Sequence, residues 1–520
     1  MDVGLLVARA ARRYAKRVAL DGPTGRQTFA EVGARVTQLA RGMLGLGLRP
    51  GDRVLDLQTN TNTYVETDLA LATAGLVRVA LNYRLHPSDW LRIAADCDAR
   101  ALIYDTRFAD TTVELRDAVD RVVAIGPDSG GDIGLPYEDL LSKQSTEPLL
   151  LGLDADSLVS LNYSSGTTGK PKGALRTHRN RLASLMNMTV DVLREPPTET
   201  DVYVHAGPIT HTSGLFVLPF FTFGAAQLIL ANWEPEALLD AIEHRGATHT
   251  ALVPTMIARL LALPECTPER TTGLAMLGYA GAPMPPGQIR QAMERITPNL
   301  VQYYGLVEAI PPVTVLDALD HAAGVSGSPE LLTSAGRPCL GVEVCVIDET
   351  GHRVPAGEVG EVLTRGDHVM RGYWGAEGRH DLSKTVVDGW LHTGDLGKLD
   401  ADERLYLVDR IGDMIISGGY NIYPREVEDV IAEMPGVHEV AVLGIEDPEW
   451  GQRVTALYSV HEGTSVTAEA ILEHCRERLA SYKKPKEIRL VERFPLSSTG
   501  KISKKLLREQ LMAEAQENEA

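Results

Sequence analysis

Through most of its first 400 residues the chain alternates short β-branched or apolar runs with longer stretches whose apolar residues fall at helical spacing. Asn232 to Leu263 carries the pattern in full. Leu238, Leu239 and Ile242, then Ile257, Leu260 and Leu261, recur on helix faces, and the run from Thr250 to Pro254 between them suits a buried strand. Such alternation predicts an α/β protein built on parallel, doubly wound sheets with helices on their faces.

From about Gly336 the texture changes. Val342–Ile347, a turn at Asp348–Gly351 and the run from Gly360 read as hairpin pieces, a smaller and mainly antiparallel β section. A second change follows Asp409. Pro424 opens a helix whose Val427, Val430, Ile431 and Met434 share a face, and a strand is expected over Glu439–Leu443. The predicted organisation is a large N-terminal domain over 1–409 and a small, mobile α+β domain over 410–520, with Asp409–Asp413 as the boundary. The full length of 520 residues supports two to four domains. No internal repeat is visible, and the acidic C-terminus is expected to fray.

The chain carries 51 Lys and Arg against 70 Asp and Glu, a net charge of −19. A surface that acidic argues against non-specific binding to nucleic acid or anionic lipid. A local basic pocket for a small anion stays open, because Arg476–Arg508 holds eleven basic against three acidic residues. The five cysteines (Cys97, Cys266, Cys339, Cys345, Cys475) form no CxxC pair and no zinc-like spacing, which fits buried thiols in a reducing compartment. The first twenty residues mix Arg and Lys into an apolar pattern and read as an amphipathic helix rather than a signal peptide. With no long uncharged apolar stretch, a membrane span is not expected, and the predicted location is cytoplasmic.

The most informative string runs from Tyr163 to Gly173, TyrSerSerGlyThrThrGlyLysProLysGly, after an apolar strand-like run. Gly166 and Gly169 free the backbone to turn N–H groups inward. The hydroxyls of Ser164, Ser165, Thr167 and Thr168, with Lys170 and Lys172, converge on one volume. Such a nest of donors and cations suits a polyphosphate. Pro171 after Lys170 rules out a Walker A loop.

With this string in place, the sequence resembles the acyl-adenylate-forming (AMP-binding) family of acyl-CoA synthetases and aryl-CoA ligases. The resemblance implies an ATP site and further residues in the family's order. In Tyr303–Glu308, Tyr304 and Gly305 match the adenine-stacking aromatic-Gly motif, and Glu308 matches the carboxylate that holds Mg²⁺, with Thr167 as the partner ligand. The family's Thr is Val307 here, which removes one neutral hydrogen bond of about 0.5–1.5 kcal/mol. Gly281, Ala282 and Pro283 match the segment lining the adenine pocket. Asp395, expected in a tight turn, and Arg410 match the ribose contacts.

Lys501 matches the lysine that bridges carboxylate and α-phosphate, where an ammonium stabilises developing charge. Lys504 and Lys505 read as solvated helix-face residues. Gly418 and Gly419 resemble the lining of the pantetheine tunnel, and Trp450, Tyr482 and Lys484 match contacts to the CoA nucleotide. Both half-reactions then draw on the small domain, so a swing about Gly412, at the family's hinge position, is implied. The acid pocket is expected among His211, Thr212, Ser213, the Gly281 segment and Gly305, with His211 as a catalytic gate or a structural histidine.

The function so predicted is an ATP-dependent acid–CoA ligase. It would convert a mostly apolar acid (fatty, aryl or polycyclic) to acyl-AMP and then to the CoA thioester, with Mg²⁺ as cofactor. A homodimer is the candidate assembly. The alternatives are an adenylating enzyme that loads a carrier-protein phosphopantetheine, and a non-catalytic binder of nucleotide or acyl-adenylate.

Overall fold

The computed structural model of the chain describes residues 1–126, 131–164, 172–375, 385–448, 450–461, 463–496 and 502–519. The opening helix, Val3–Arg13, starts because Asp2 accepts a hydrogen bond from the Leu5 N–H and so caps the first turn. Its Val3, Gly4, Val7 and Ala10 are buried, at the i, i+4, i+7 spacing of one face.

Two sheets dominate the region before Glu343. The seven-stranded sheet runs in the order Leu135–Pro136, Arg121–Ile125, Ala101–Asp105, Arg53–Leu57, Val77–Ala80, Leu158–Ser164 and Lys172–Thr177. Its strands pair in parallel except for the last two, which form an antiparallel hairpin with Ser164 opposite Lys172. The nine-stranded sheet has Val202–His205 near its middle, with Ala226–Ile229 on one side and His249–Leu252 on the other. Met276–Ala280 and Leu300–Leu306 continue it in parallel, and Ala309–Leu316 returns antiparallel. Short apolar strands alternating with helices therefore give the α/β, doubly wound architecture expected from the pattern. In the segment used to read that pattern, helices Pro235–His244 and Pro254–Leu261 flank the strand His249–Leu252. Leu238, Leu239, Ile257 and Leu260 are fully buried in one core.

Residues 343–410 supply a five-stranded sheet, and the hairpin Val386–Leu391 within it is antiparallel. Asp395 was expected in a tight turn; it lies instead inside the strand Trp390–Leu399, beside Gly394 at φ +72°. Glycine tolerates that left-handed backbone, so the turn-like sequence is carried inside a strand.

The chain divides into two compact units. The first holds 1–345, 363–393 and 400–406; the second holds 346–362, 394–399 and 407–520, so the Asp409–Asp413 segment lies inside the second. In the second unit a sheet runs Tyr420–Ile422, Ile415–Ser417, Gly451–Val460, Val437–Asp447, with Glu487–Leu490 parallel to Gly451–Val460. The helix Pro424–Ala432 buries Val427 and Ile431 against it. All five cysteines are buried, and burial pushes the Cys97 thiol up to about 12. Among the described residues no helix is long and apolar enough to cross a membrane.

Candidate functional site

In a doubly wound sheet the loops at the carboxyl ends of neighbouring strands open a crevice where the strand order changes direction. Three of the segments singled out in the sequence leave such ends in the nine-stranded sheet. Val202–His205 leads to the loop with His211, Met276–Ala280 to Gly281–Pro283, and Leu300–Leu306 to the turn holding Val307 and Glu308. The first loop is pinned from the other sheet's region. Asn60 donates to the carbonyls of Gly207 (2.9 Å) and Leu230 (3.2 Å) and accepts from the Ile209 N–H at 2.9 Å.

Strand alternation sorts the two tyrosines of Tyr303–Glu308. Tyr303 is buried beside Phe216, its ring centroid 6.2 Å away, whereas Tyr304 is only half-buried. Gly305 has a local reason to be glycine: a Cβ there would meet Pro311 Cα at 2.9 Å. Gly281 sits at φ +88°, the left-handed region that glycine tolerates.

The segment 368–374 ties two further pieces together. The Met370 N–H donates to the Glu308 carbonyl (2.8 Å), and the Ile310 N–H donates to the His368 carbonyl (2.9 Å). Farther along, the Leu175 N–H donates to Gly372 (2.8 Å) and the Trp374 N–H to Gly173 (2.8 Å). Tyr373 thereby stands between the strand after the phosphate string and the Glu308 turn. Its hydroxyl donates to Glu308 Oε1 at 2.8 Å, and Lys172 Nζ lies 5.4 Å from its ring centroid. Burial, then the Glu308 charge, pushes the Tyr373 phenol up, so it remains a donor. Residues Ser165, Gly166, Thr167, Thr168, Gly169, Lys170 and Pro171 of the phosphate string, and Lys501, lie outside the described residues. Only the strand placement of Ser164 belongs to them.

Beside His211 is a cavity of about 110 Å³. Its apolar wall includes Leu185, Ile209, Leu215, Leu218 and Ile310. Its polar wall includes Tyr64, Asp68, Arg78, Arg176 and Arg181. Thr212, Ser213 and Gly305 are not in that lining; Ser213 is buried, with its Oγ 2.8 Å from His205 Nδ1. His211 Nε2 is 3.3 Å from Asn82 Nδ2.

Most of the cavity's charges pair off. Arg78 donates to Asp56 (2.6 Å) and Asp68 (3.0 Å), and Arg181 donates to both Asp68 oxygens (2.7 and 3.1 Å). Burial raises the Asp68 carboxyl, but Arg181 and Arg78 outweigh it and hold it below the usual range. Arg176 differs: it donates to the Val307 carbonyl at 2.8 Å, while its buried Nε has no hydrogen-bond partner among the described residues. Burial pulls Arg176 down to about 10, against the opposing charge of Glu308 and with that of Arg181. Neither Arg176 nor Tyr373 was singled out from the sequence. Both matter through long-range pairing that a single sequence does not display.

Within the second unit, Arg410 Nε reaches Asp395 Oδ1 at 3.1 Å. Gly412 has no atom within 4 Å of a built Cβ, so its surroundings leave room for a side chain. Gly418 (φ +57°) and Gly419 (φ +81°) follow the strand Ile415–Ser417, and a Cβ on Gly418 would meet the Trp450 ring at 3.1 Å. Lys486, rather than Lys484, stands over the Trp450 ring, 4.0 Å from its centroid. Tyr482 stacks on Tyr420 at 4.5 Å, and its neighbour Lys483 pairs with Glu426 at 2.6 Å. Lys484 is half-buried. Lys504 is not the solvated residue expected: its Nζ lies 2.8 Å from Glu428 Oε1, both side chains being about four-fifths covered. Lys505 faces Glu509 at 3.9 Å on the exposed side of the helix.

Comparison with known proteins gives the chain's family. The family described as AMP-binding enzyme matches residues 7–374, and the AMP-binding enzyme C-terminal domain matches residues 426–501. A feruloyl-CoA synthase of Amycolatopsis sp is 36% identical over 480 residues, 92% of each chain. The medium/long-chain-fatty-acid–CoA ligase FadD8 of Mycobacterium tuberculosis is 33% identical over 97% of this chain and 89% of its own. Among solved structures, ATP-bound MatB from Rhodopseudomonas palustris superposes with a TM-score of 0.88 at 30% identity, covering 98% of this chain and 99% of that one.

Proposed function

Because the chain belongs to the AMP-binding enzyme family and is an ATP-dependent acyl-CoA synthetase, we propose that it activates a mostly apolar carboxylic acid held in the cavity beside His211. A carboxylate oxygen attacks the α-phosphorus of ATP, the bond to the β,γ-diphosphate breaks, and pyrophosphate leaves acyl-AMP behind. The sulfur of CoA then attacks the acyl carbon, the thiol proton is lost, and AMP departs with the bonding pair.

The observation that carries the site assignment is the convergence of Lys172, Tyr373 and Glu308 on paired backbone segments. In this reading Lys172 and the Ser164–Gly169 string receive the polyphosphate. Tyr304 stacks on adenine beside Gly281–Pro283. Asp395 takes the ribose hydroxyls, with Arg410 already directed at it. Lys501 stabilises charge as carboxylate and phosphate approach. Gly418 and Gly419 pass the pantetheine, and Trp450, with Tyr482 and Lys484, meets the CoA nucleotide. The module over 410–520 reorients about Gly412 between the steps.

Mg²⁺ fits the donor set. Glu308 offers a hard carboxylate oxygen beside the strand that follows the phosphate string, and Mg²⁺ characteristically takes one or two carboxylates plus substrate phosphates. Glu308, with Thr167, would hold it, and it would neutralise charge on the phosphate oxygens. Tyr373 occupies Oε1 and thereby orients the carboxylate.

The cavity's size narrows the acid. A cavity of about 150 Å³ holds benzene, so about 110 Å³ suits a short chain as it stands, and a ring requires lining side chains to move. The experiment is ATP-dependent pyrophosphate release over a panel of carboxylic acids, with and without CoA. Acid-dependent release coupled to CoA consumption is expected. Release without CoA consumption would move the acceptor to a carrier protein, and no acid-dependent release would leave only nucleotide binding.

A further inference from the structure

Resting on the assignment of Gly412 as the pivot, we propose that Asp409 is a positioning residue for the C-terminal module. Its carboxylate caps the helix Pro424–Ala432 from across the pivot and so holds the module in one of two working orientations. The chain before Gly412 is fixed to the strand Trp390–Leu399. Leu405–Arg410 pairs with that strand, the Ile411 N–H donates to the Gly394 carbonyl at 2.9 Å, and Arg410 Nε meets Asp395 Oδ1 at 3.1 Å. After Gly412, Ile415–Ser417 already belongs to the sheet on which the helix packs. Freedom to turn is therefore confined to 412–414, where Gly412 has open space around it.

The helix does not cap itself. Its N-cap residue, Tyr423, makes no side-chain cap hydrogen bond, and Pro424 has no N–H to satisfy. The first amide that needs a partner is that of Arg425, and it donates to Asp409 Oδ2 at 3.0 Å. Asp409 Oδ1 accepts from the Arg410 N–H at 2.8 Å, which fixes the direction of the carboxylate. The positive end of the helix dipole also favours a carboxylate there. Other bonds cross Gly412 as well. The Asp413 and Met414 N–H groups donate to the Arg410 carbonyl at 3.0 and 3.2 Å, and Arg425 Nη1 donates to the Leu407 carbonyl at 3.4 Å.

Asp409 stands before the pivot and Arg425 after it. A turn of the backbone at Gly412 carries the helix away from the carboxylate, so the cap and the bonds to the Arg410 carbonyl open together. Removing an Asp cap shifts such an equilibrium by about twofold to thirtyfold. Glycine at the pivot prefers neither orientation by itself. Asp409 supplies the preference that Gly412 lacks.

The test is hydrogen exchange of the full chain without substrates, read at single amides by mass spectrometry, in wild type, Asp409→Ala and Asp409→Asn. In Asp409→Ala the Asp413, Met414 and Arg425 amides should all exchange about twofold to thirtyfold faster, while that of Ile411, before the pivot, keeps its rate. Asn accepts the same bond, so Asp409→Asn should stay within about twofold of the wild type. A cap that acts only on its own helix would speed Arg425 alone, and that result overturns the proposal. Unchanged rates at all three amides, or an Asp409→Asn variant as fast as Asp409→Ala, overturn it too. Catalysis gives a second readout, with hexanoate and 3-phenylpropionate as acids. The ratio of acid-dependent ATP–pyrophosphate exchange to thioester formation should shift by about twofold or more in Asp409→Ala and not in Asp409→Asn; an unchanged ratio in Asp409→Ala overturns the proposal. The amide comparison alone decides if neither acid is activated. Failure of the pivot assignment looks different: Gly412→Pro would then slow both half-reactions equally, whatever the amides of Asp413, Met414 and Arg425 do.

Discussion

Replacing Tyr373 by Phe removes one oxygen and leaves the ring where Lys172 and the core meet it. The lost bond is the 2.8 Å donation to Glu308 Oε1, a hydrogen bond to a charged acceptor. Such bonds contribute about 1.5–3 kcal/mol, which is roughly tenfold to a hundredfold in rate if the orientation of Glu308 matters in the transition state. The neighbouring backbone bonds of 370–374 do not involve the phenol, so the fold should persist with only a small shift in thermal midpoint. The assay is acid-dependent pyrophosphate release against MgATP concentration, in wild-type and Glu308→Gln backgrounds. The expected result is a loss of about tenfold or more in kcat/KM for MgATP in the first background and little further loss in the second, because the two residues act as one unit. An effect under twofold in the wild type would rule out that orienting role. So would an equal loss in both backgrounds, since the phenol would then act through something other than Glu308.

Gly412→Pro should spare acid-dependent ATP–pyrophosphate exchange and slow thioester formation, because a fixed φ hinders reorientation about that residue; equal loss of both half-reactions would count against a hinge there. Arg78→Met leaves Asp56 and Asp68 short of a buried partner and should lower stability by about 3–5 kcal/mol in urea titration; a loss under 1 kcal/mol would mean the network is replaceable. Burial lowers His178, His205 and His368 to about 4 each, and unfolding returns them to near 6.5. The unfolded chain therefore binds more protons between those values, so their contribution is complete above about pH 6.5 and falls as pH drops toward 4. At pH 5.5 the loss is about 1.4 kcal/mol for each histidine, and a urea midpoint unchanged between pH 7.5 and 5.5 would contradict it.

The alternation of strand and helix was legible because it follows from local periodicity. Leu238, Leu239 and Leu260 are buried as their spacing required. Local sequence misled where pairing partners were remote. Gly394 and Asp395 resemble a turn, yet the strand Trp390–Leu399 accommodates the positive φ of Gly394 without ending. Lys504 reads as a solvated lysine until Glu428 is brought beside it by the packing of distant segments. Gly305 can be read as a space reserved for substrate, but the approach of Pro311 already requires it. The cavity's character was hidden for the same reason: Asp56, Asp68, Arg78, Arg176 and Arg181 come from separate elements and look unremarkable singly. Tyr373 acquires a role only because the backbone of 368–374 bonds to both Gly173–Leu175 and Glu308–Ile310.

The proposed chemistry requires that the acid's own carboxylate oxygen attack the α-phosphorus. A turnover with acid labelled with ¹⁸O in both carboxylate oxygens, followed by mass analysis of the nucleotide product, decides the point. The expected product is AMP carrying one labelled oxygen on its phosphate, formed together with pyrophosphate and the CoA thioester. Unlabelled AMP, or ADP with inorganic phosphate, would contradict that chemistry.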